Sequence, residues 1–371
     1  MRTGFPVGES ADSSVDGKRL LLVGTYTPDS DPPGEGEGIY RVWFDPMTGE
    51  MTHGGTAART PGPSFLAFRE NPPTVYAVNE REKGTVTAFR IDGGAGLAEL
   101  GQSPTGGGSP CHVLARGSEL AVTNYANGVA TLYALAEDGS LDGTVAEFAH
   151  SGSGPVTDRQ EGPHAHSTAA PDDRHLLVAD LGTDELRVLR GDEEAGAVAL
   201  PPGTGPRHTA VRGEYLYVAG ELDSRVHVLR WNPGTGTAEH LGSVEATGEE
   251  AAGANFPAEI LTNGDHVYVS NRGADTIATF AVRDGGARLE HVANTPAGGP
   301  WPRNFTVVRG HRDEPDHLVV AAQNGDSLAA LLLDPDTGVP ADTGHRLRLP
   351  VPVCVLPVPI TRIRRAEGTR D

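Results

Sequence analysis

A proline followed by a short apolar run recurs seven times along this chain of 371 residues, and the repeat limits the fold more than any other feature. The repeats begin at Pro63, Pro110, Pro163, Pro206, Pro257, Pro302 and Pro352. Each of the first six continues with two further runs typical of strands, such as LYVAGE and RVHVLR in the fourth repeat. Intervals of 43 to 53 residues that hold several strands are typical of β-propeller blades.

The seventh repeat contains only its first strand, and the beginning of the chain supplies the missing ones. LLVGTYT resembles the second strands of the other repeats, IYRVWFD resembles the third strands, and MTHGGTAA fits as a fourth. The sequence therefore predicts an all-β fold, a seven-bladed β-propeller whose ring closes when the N-terminal strands pair with the C-terminal strand in one blade. Such closure leaves no free sheet edge. A two-domain β-sandwich is the competing architecture, but it would not explain why the two chain ends supply complementary parts of one repeat.

Composition sets the boundaries and argues against several classes of partner. Residues 1–18 are polar and predict a disordered leader, the propeller should span 19–360, and 361–371 form a C-terminal tail. The net charge of −20 argues against nucleic acid and anionic membranes as partners. No apolar run reaches the roughly 20 residues of a membrane span, and no secretory signal is evident. The two cysteines, Cys111 and Cys354, suit a reducing compartment. We expect a cytoplasmic protein, with a monomer as the working expectation.

Polar residues collect at two kinds of position in the repeat. In an antiparallel blade the first strand begins on the face where the second strand ends, so both positions should share one rim of the central channel. Turns can use Asn and Asp there for backbone hydrogen bonds, but they have no such need for arginine, glutamate or histidine. The residues selected at these positions are His164, His166, Arg207, Glu221, Glu259, Arg272, Arg303, Asn304 and Gln323.

The arginines at this predicted rim come from three successive blades. Arg207, Arg272 and Arg303 belong to blades four to six, so one arc of the rim would be cationic. The guanidinium fork suits a carboxylate or a phosphate, and in a concave site it could overcome the repulsion of anions by the acidic protein. The alternative is that each arginine pairs with a neighbouring acid, such as Glu221 or Glu259.

Two histidines alternate with an alanine in PHAHS. On a strand, His164 and His166 would face the same side. Such a pair can bind a metal, act as a general base or hydrogen-bond to backbone, and the spacing alone does not support a metal site. His208 follows Arg207 directly, and we expect it to point the other way and to be structural.

Short motifs at the repeat starts and strand ends together resemble one family. They are GTYT (24–27), PCHV (110–113), TNY (123–125), PHAHS with VADLGTD (178–184), GPRH (205–208), ELDSRV (221–226), NRGADTI (271–277), WPRNF (301–305), QNGDS (323–327) and PVCV (352–355). From about residue 20 to 358 the chain is similar to the seven-bladed propeller lactonases, whose best-known members are 6-phosphogluconolactonases.

This resemblance implies hydrolysis of a sugar-acid lactone without a cofactor. The expected substrate is an anionic small molecule, 6-phospho-glucono-1,5-lactone, converted to 6-phosphogluconate in the pentose phosphate pathway. The resemblance also implies that His164, Arg207 and Glu221 are the active-site groups and that Arg272 and Arg303 line the same cleft.

A mechanism follows from these assignments. We expect Arg207, alone or with Arg272, to polarise the lactone carbonyl and stabilise the oxyanion, while His164 or Glu221 activates water. The predicted substrate-binding residues are His166, Glu259, Arg272, Arg303, Asn304 and Gln323, and no metal ligand is assigned. Three alternatives stay open: a lactonase acting on another carboxylated or unphosphorylated lactone, a cycloisomerase, and a non-catalytic propeller that serves as a scaffold or binding module.

Overall fold

A computed structural model describes residues 17–359. The leader predicted at 1–18 lies outside the described residues except for its last two, and the tail predicted at 361–371 lies entirely outside them. Within the described part, no helix has the length and apolar character that a membrane span requires.

Twenty-eight strands and two short 3₁₀ helices make up the described chain. Blades one to three contain β4 (Leu66–Arg69), β5 (Thr74–Asn79), β6 (Thr85–Ile91), β7 (Leu97–Pro104), β8 (Pro110–Arg116), β9 (Glu119–Asn124), β10 (Ala130–Leu135), β11 (Leu141–Phe148), β12 (Ala165–Ala169), β13 (Leu176–Asp180), β14 (Glu185–Arg190) and β15 (Glu193–Ala199). Blades four and five contain β16 (Pro206–Arg212), β17 (Tyr215–Gly220), β18 (Arg225–Asn232), β19 (Thr237–Glu245), β20 (Phe256–Asn263), β21 (His266–Arg272), β22 (Thr276–Arg283) and β23 (Arg288–Pro296). Blades six and seven contain β24 (Pro302–Val308), β25 (His317–Ala322), β26 (Ser327–Leu333), β27 (Pro340–Arg348), β28 (Pro352–Val358), β1 (Arg19–Thr25), β2 (Ile39–Phe44) and β3 (Met51–Ala58). The 3₁₀ helices are Asp284–Gly286 and Gln323–Gly325.

The strands form seven antiparallel four-stranded sheets, one for each blade. In blade seven the order is β28-β1-β2-β3, so the chain supplies the first strand from its C-terminal part and the other three from its N-terminal part. The pairing aligns Leu22 with Leu356 and Gly24 with Cys354. The predicted seven-bladed propeller and its closure are therefore confirmed, and the two-domain sandwich is wrong.

The core lies between neighbouring blades. Second strands such as β5 and β25 are buried at every residue, because an adjacent blade covers each face of the sheet. Between blades six and seven, for example, Val42 and Phe44 join one apolar cluster with Val319 and Leu328. Apolar packing therefore fixes the angle between blades.

Buried tyrosines of three second strands also bind one blade to the next. Tyr76, Tyr217 and Tyr268 each donate a hydrogen bond to the carbonyl oxygen of a glycine in the following blade, at 2.7 to 2.9 Å. A buried phenol needs such a partner. The repeated bond holds successive blades in one register, and this makes the strand ends at the rim a rigid frame for a site.

Register shifts near the start of the first strands determine which side chains face the channel. In blade four the shift falls between Pro206 and Thr209, so the residues between them do not simply alternate in direction. His208 was expected to point the opposite way to Arg207, and its side chain contacts Glu259 whereas that of Arg207 contacts Glu221. Its ring centroid lies 5.3 Å from that of His112 and 5.5 Å from that of His166. These three rings come from three different first strands and meet in the channel.

Candidate active site

Glu221 is the centre of an ion-pair cluster at one end of the channel. It follows the last residue of β17, and its Oε2 lies 2.7 Å from Nη2 of Arg272 and 3.1 Å from Nε of Arg207. Its Oε1 accepts a hydrogen bond of 2.7 Å from Arg159. Burial alone would raise the pKa of Glu221, but the guanidiniums of Arg272, Arg207 and Arg159 outweigh it and hold the pKa well below the usual range.

Arg207 has unused hydrogen-bonding capacity in this cluster. The direction of its Nε–H does not suit a hydrogen bond to Glu221, and within residues 17–359 neither Nε nor Nη1 has a hydrogen-bond partner. Burial, and then the nearby guanidiniums of Arg272 and Arg303, lower the pKa of Arg207 to about 9. A cation under that much repulsion is stabilised by any anion that reaches it, so Arg207 is poised to receive one.

The cluster continues across the channel to blades seven and one. The guanidinium of Arg303 stacks over the ring of Tyr26 at 5.2 Å from the centroid and lies 4.0 Å from Oε2 of Glu80. Tyr26 donates its hydroxyl hydrogen to Oε1 of Glu80 at 3.1 Å. Burial raises the pKa of Glu80 in spite of Arg303. Glu80 is thus a carboxyl group that retains its proton more readily than an ordinary glutamate.

His164 is held on both ring nitrogens beside this cluster. Its Nδ1 lies 2.7 Å from the backbone oxygen of Tyr125, its Nε2 lies 3.1 Å from Oε1 of the exposed Glu161, and its ring stacks on that of Tyr125 at 4.5 Å. The backbone N–H of His164 donates to the buried carboxylate of Asp180 at 2.8 Å. His166 also reaches Tyr125, edge-on at 5.7 Å. The two histidines of PHAHS therefore lie on one side, against one aromatic ring.

The remaining predicted residues lie elsewhere. Glu259 and Asn304 are buried further along the channel, where Asn304 donates a hydrogen bond of 2.5 Å to Oε2 of Glu259 and His208 lies 2.9 Å from Oε1. Their polar atoms are thus engaged with each other. Gln323 is half-buried at the start of its 3₁₀ helix, and its Oε1 has no hydrogen-bond partner within the described part of the chain.

The sequence reasoning missed Arg159 entirely. It lies in the long segment between β11 and β12, which has no counterpart in the other blades, yet it donates to both Glu221 and Tyr125. Tyr26, Glu80 and Tyr125 stood at second-strand ends on the predicted rim but were not selected. Their common position in the repeat was the signal that could have identified them.

The site carries an excess of positive charge on an acidic protein. Four guanidiniums, those of Arg159, Arg207, Arg272 and Arg303, surround the carboxylates of Glu221 and Glu80. Because most of these groups are buried, their charges act at low dielectric and are poorly screened by salt. No group of three or more His, Cys, Asp or Glu side chains between residues 17 and 359 is arranged to hold a metal ion. The arrangement can bind an anion and polarise a carbonyl oxygen.

The fold and the site together define a seven-bladed propeller with a buried arginine cluster at one end of its channel. The comparisons with known proteins agree with this. Residues 20–357 match the model of the family described as lactonase, 7-bladed beta-propeller, and the chain belongs to that family.

Relatives of this chain are similar over nearly its whole length. It is 32% identical to 6-phosphogluconolactonase of Bacillus subtilis strain 168, over 91% of this chain and 98% of the relative. Among solved structures, the periplasmic gluconolactonase PpgL of Pseudomonas aeruginosa matches with a TM-score of 0.82 and 29% identity, covering 92% of this chain and 99% of PpgL. A protein from Lactobacillus plantarum matches with a TM-score of 0.83 and 30% identity, covering 91% and 98%.

Proposed function

We propose that this protein hydrolyses a sugar-acid lactone and that its substrate is 6-phospho-glucono-1,5-lactone, which it converts to 6-phosphogluconate in the pentose phosphate pathway. The family and the Bacillus subtilis relative support the reaction class. The choice of a phosphorylated substrate is supported by the arginine cluster, which attracts an anion to a protein whose net charge is −20.

The unpartnered N–H groups of Arg207 carry this proposal. In a buried, preorganised site such donors stabilise the oxyanion that forms when water attacks a lactone carbonyl, and removing one donor of this kind typically costs roughly 10²–10³ in kcat. Arg272 and Arg159 are fixed by Glu221 beside Arg207, and we assign them to binding the phosphate. Glu221 itself is a poor base, because three guanidiniums stabilise its carboxylate. We assign it to holding the arginines.

His164 fits a proton donor better than a base. Its Nδ1–H donates to the carbonyl of Tyr125, so a neutral ring would direct a lone pair from Nε2 at the carboxylate of Glu161. A proton on Nε2 satisfies that contact. His164 is therefore assigned to protonating the leaving ring oxygen, and its neighbour His166 to contacting the sugar.

A second candidate is an unphosphorylated lactone. PpgL is named a gluconolactonase and is about as similar to this chain as the phosphogluconolactonase relatives. In addition, Glu221 already neutralises part of the cationic cluster. The arginines would then bind the lactone carbonyl and no phosphate group.

A panel of lactones tests the proposal. Hydrolysis of 6-phospho-glucono-1,5-lactone and of glucono-1,5-lactone is measured with and without a chelator, with spontaneous hydrolysis subtracted. We expect the phosphorylated lactone to be preferred and Arg207→Ala to lose roughly 10²–10³ of kcat/KM. The matched control is Arg212→Ala, at the other end of β16, where Arg212 pairs with Asp265. Preference for the plain lactone would favour the second candidate, and no acceleration of any lactone would favour a scaffold.

We also propose a cytoplasmic location. Cys111 and Cys354 are both free and buried, which suits a reducing compartment. PpgL is named a periplasmic gluconolactonase, so cell fractionation is the direct test of location.

A further inference from the structure

Beyond the arginine cluster, a chain of three buried side chains crosses the middle of the channel. Asn304 accepts a hydrogen bond of 2.8 Å from the backbone N–H of Val355 and donates one of 2.5 Å to Oε2 of Glu259. Oε1 of Glu259 accepts from the backbone N–H of Ile260 at 3.2 Å and lies 2.9 Å from Nδ1 of His208. Each member is therefore fixed by the one behind it, and the chain ends on an imidazole.

The contact with Glu259 determines the tautomer of His208. A carboxylate only accepts, so Nδ1 carries the hydrogen and Nε2 carries the lone pair. Within residues 17–359 no hydrogen-bond partner reaches Nε2. Burial lowers the pKa of His208, although Glu259 opposes this, so the ring is neutral near pH 7. The titratable or charged groups around it are His112, His166, Arg207, Glu259 and Arg303.

His208 also lines a cavity of about 380 Å³ on the side of the channel away from the arginines. Its walls are residues from the middle and later parts of the first strands, and they include the hydroxyl groups of Thr168, Thr209, Thr262 and Thr306. Along β16, β20 and β8 the side chains change from buried at the arginine end to half-buried at the far end, so the cavity leads toward solvent. The buried hydroxyl of Thr168 has no hydrogen-bond partner among the described residues. A water needs only about 10–15 Å³ of such volume, so the cavity can hold many.

The other candidates for a general base are already engaged. Three guanidiniums hold Glu221 as a weakly basic carboxylate. Glu80 accepts the hydroxyl hydrogen of Tyr26 and lies 4.0 Å from Arg303, and burial raises its pKa. Both nitrogens of His164 are occupied. His208 alone among these four combines a free lone pair, an orienting carboxylate and access to a cavity.

We propose that His208, oriented by Glu259 and Asn304, is the general base of the lactone hydrolysis proposed above, and that the attacking water comes from the cavity on the far side of the channel. The inference rests on the proposed function. In this arrangement the two reactants approach from different sides. The lactone reaches the imidazole of His208 from the arginine end of the channel, and the water reaches it from the opposite end.

The step balances without a further reactant. Nε2 of His208 takes a proton from water while the water oxygen bonds to the carbonyl carbon, and the carbonyl π electrons move to oxygen, where Arg207 stabilises them. Collapse of this intermediate breaks the bond between the carbonyl carbon and the ring oxygen. His164, assigned above as the proton donor, gives its Nε2 proton to the leaving ring oxygen, which becomes a hydroxyl group, and His164 regains a proton from solvent. The new carboxylic acid ionises to solvent. The imidazolium then returns its proton to solvent.

The first test compares His208→Ala with His112→Ala. His112 is a channel histidine of similar burial that has no carboxylate partner among residues 17–359, and its Nδ1 accepts from the backbone N–H of Thr168. We expect His208→Ala to lose roughly 10²–10⁴ of kcat with little change in KM, the usual worth of one positioned proton transfer. Added imidazole should restore part of that kcat, since the base is replaced by a small molecule that the cavity can admit. His112→Ala should keep its kcat and show no rescue, and Tm measurements verify that both variants fold.

The second test concerns the positioning residue. Glu259→Gln removes the negative charge that raises the pKa of His208. The base must be neutral, so activity rises with pH through this pKa. In the variant, the acid limb of the kcat/KM profile should move to lower pH while kcat falls.

The outcomes distinguish failure of the His208 assignment from failure of the proposed lactonase function. If the wild type is active and His208→Ala keeps its kcat, or loses kcat that imidazole does not restore, the assignment of His208 is overturned and the lactonase proposal stands. A wild type that accelerates no lactone of the panel would overturn both.

Discussion

Replacing Glu221 by glutamine isolates the electrostatic role of the cluster, because the side chain keeps its shape and loses its charge. In the native protein one buried carboxylate neutralises the guanidiniums of Arg207, Arg272 and Arg159. In Glu221→Gln these cations would repel one another with no compensating anion. Removing one partner of a buried ion pair typically costs about 3–5 kcal/mol of unfolding free energy.

The effect on Tm follows from the size of the chain. One kcal/mol corresponds to roughly 2–4 °C in a chain of 150–250 residues and to less in a longer one. We therefore expect Glu221→Gln to unfold about 5 °C below the wild type at pH 7. The matched control is Glu239→Gln, which removes an exposed ion pair with Arg230 and should change stability by less than about 1 kcal/mol.

The pH dependence has a definite sign. The pKa of Glu221 is lower in the folded than in the unfolded protein, so its charge stabilises the fold fully above the unfolded pKa of roughly 4.3. That stabilisation is lost as the pH falls toward the folded pKa. The difference in stability between the wild type and Glu221→Gln should thus be constant from pH 7 to about 5 and shrink below that.

Thermal unfolding followed by circular dichroism measures these differences, and added inorganic phosphate provides an internal check. Phosphate should raise the Tm of Glu221→Gln more than that of the wild type, because it can replace the missing anion between the arginines. Equal Tm values for the Glu221 and Glu239 variants, or equal responses to phosphate, would refute the reasoning.

Three further predictions follow from other parts of the structure. Leu22 of β1 is fully buried, so Leu22→Ala should lower the unfolding free energy by about 2–5 kcal/mol. Leu332 is 37% exposed, so Leu332→Ala should change it by less than about 0.5 kcal/mol in the same urea titration. Arg159→Gln should raise KM for the phosphorylated lactone about tenfold, the worth of one charge-assisted hydrogen bond, with Tm nearly unchanged; an unaltered KM would remove Arg159 from the site. Burial raises the pKa of the Cys111 and Cys354 thiols to about 12, so a thiol reagent at pH 8 should modify neither until guanidinium chloride unfolds the chain.

The fold was predictable because the strands of a blade are neighbours in the sequence. Their spacing repeats, and the incomplete seventh repeat finds its missing strands in the N-terminal segment, as the pairing of β28 with β1 confirms. The rim was predictable for the same reason. Arg207 at the start of β16 and Glu221 after the end of β17 meet because the two strands are antiparallel.

The pairing within the site could not be derived from the repeat. Whether Arg207 and Arg272 are free or bound to an acid depends on distances between blades, and in the structure both contact Glu221. Arg159 lies in a segment that no other blade repeats, so no periodicity identifies it. The direction of His208 depends on a register shift, which an alternating pattern cannot represent.

Blade seven contains the seam of the ring, the pairing of β28 with β1 that closes it. Six blades are built from consecutive strands, but the contact between β28 and β1 joins opposite ends of the described chain. Folding slows as contacts become less local, and this contact is the least local in the ring. The consecutive blades can form early, so we expect the seam to close last in folding and to open first in unfolding. A circular permutant that links the ends of the propeller and is cut between blades two and three would move the seam to another place, while every blade keeps its four strands.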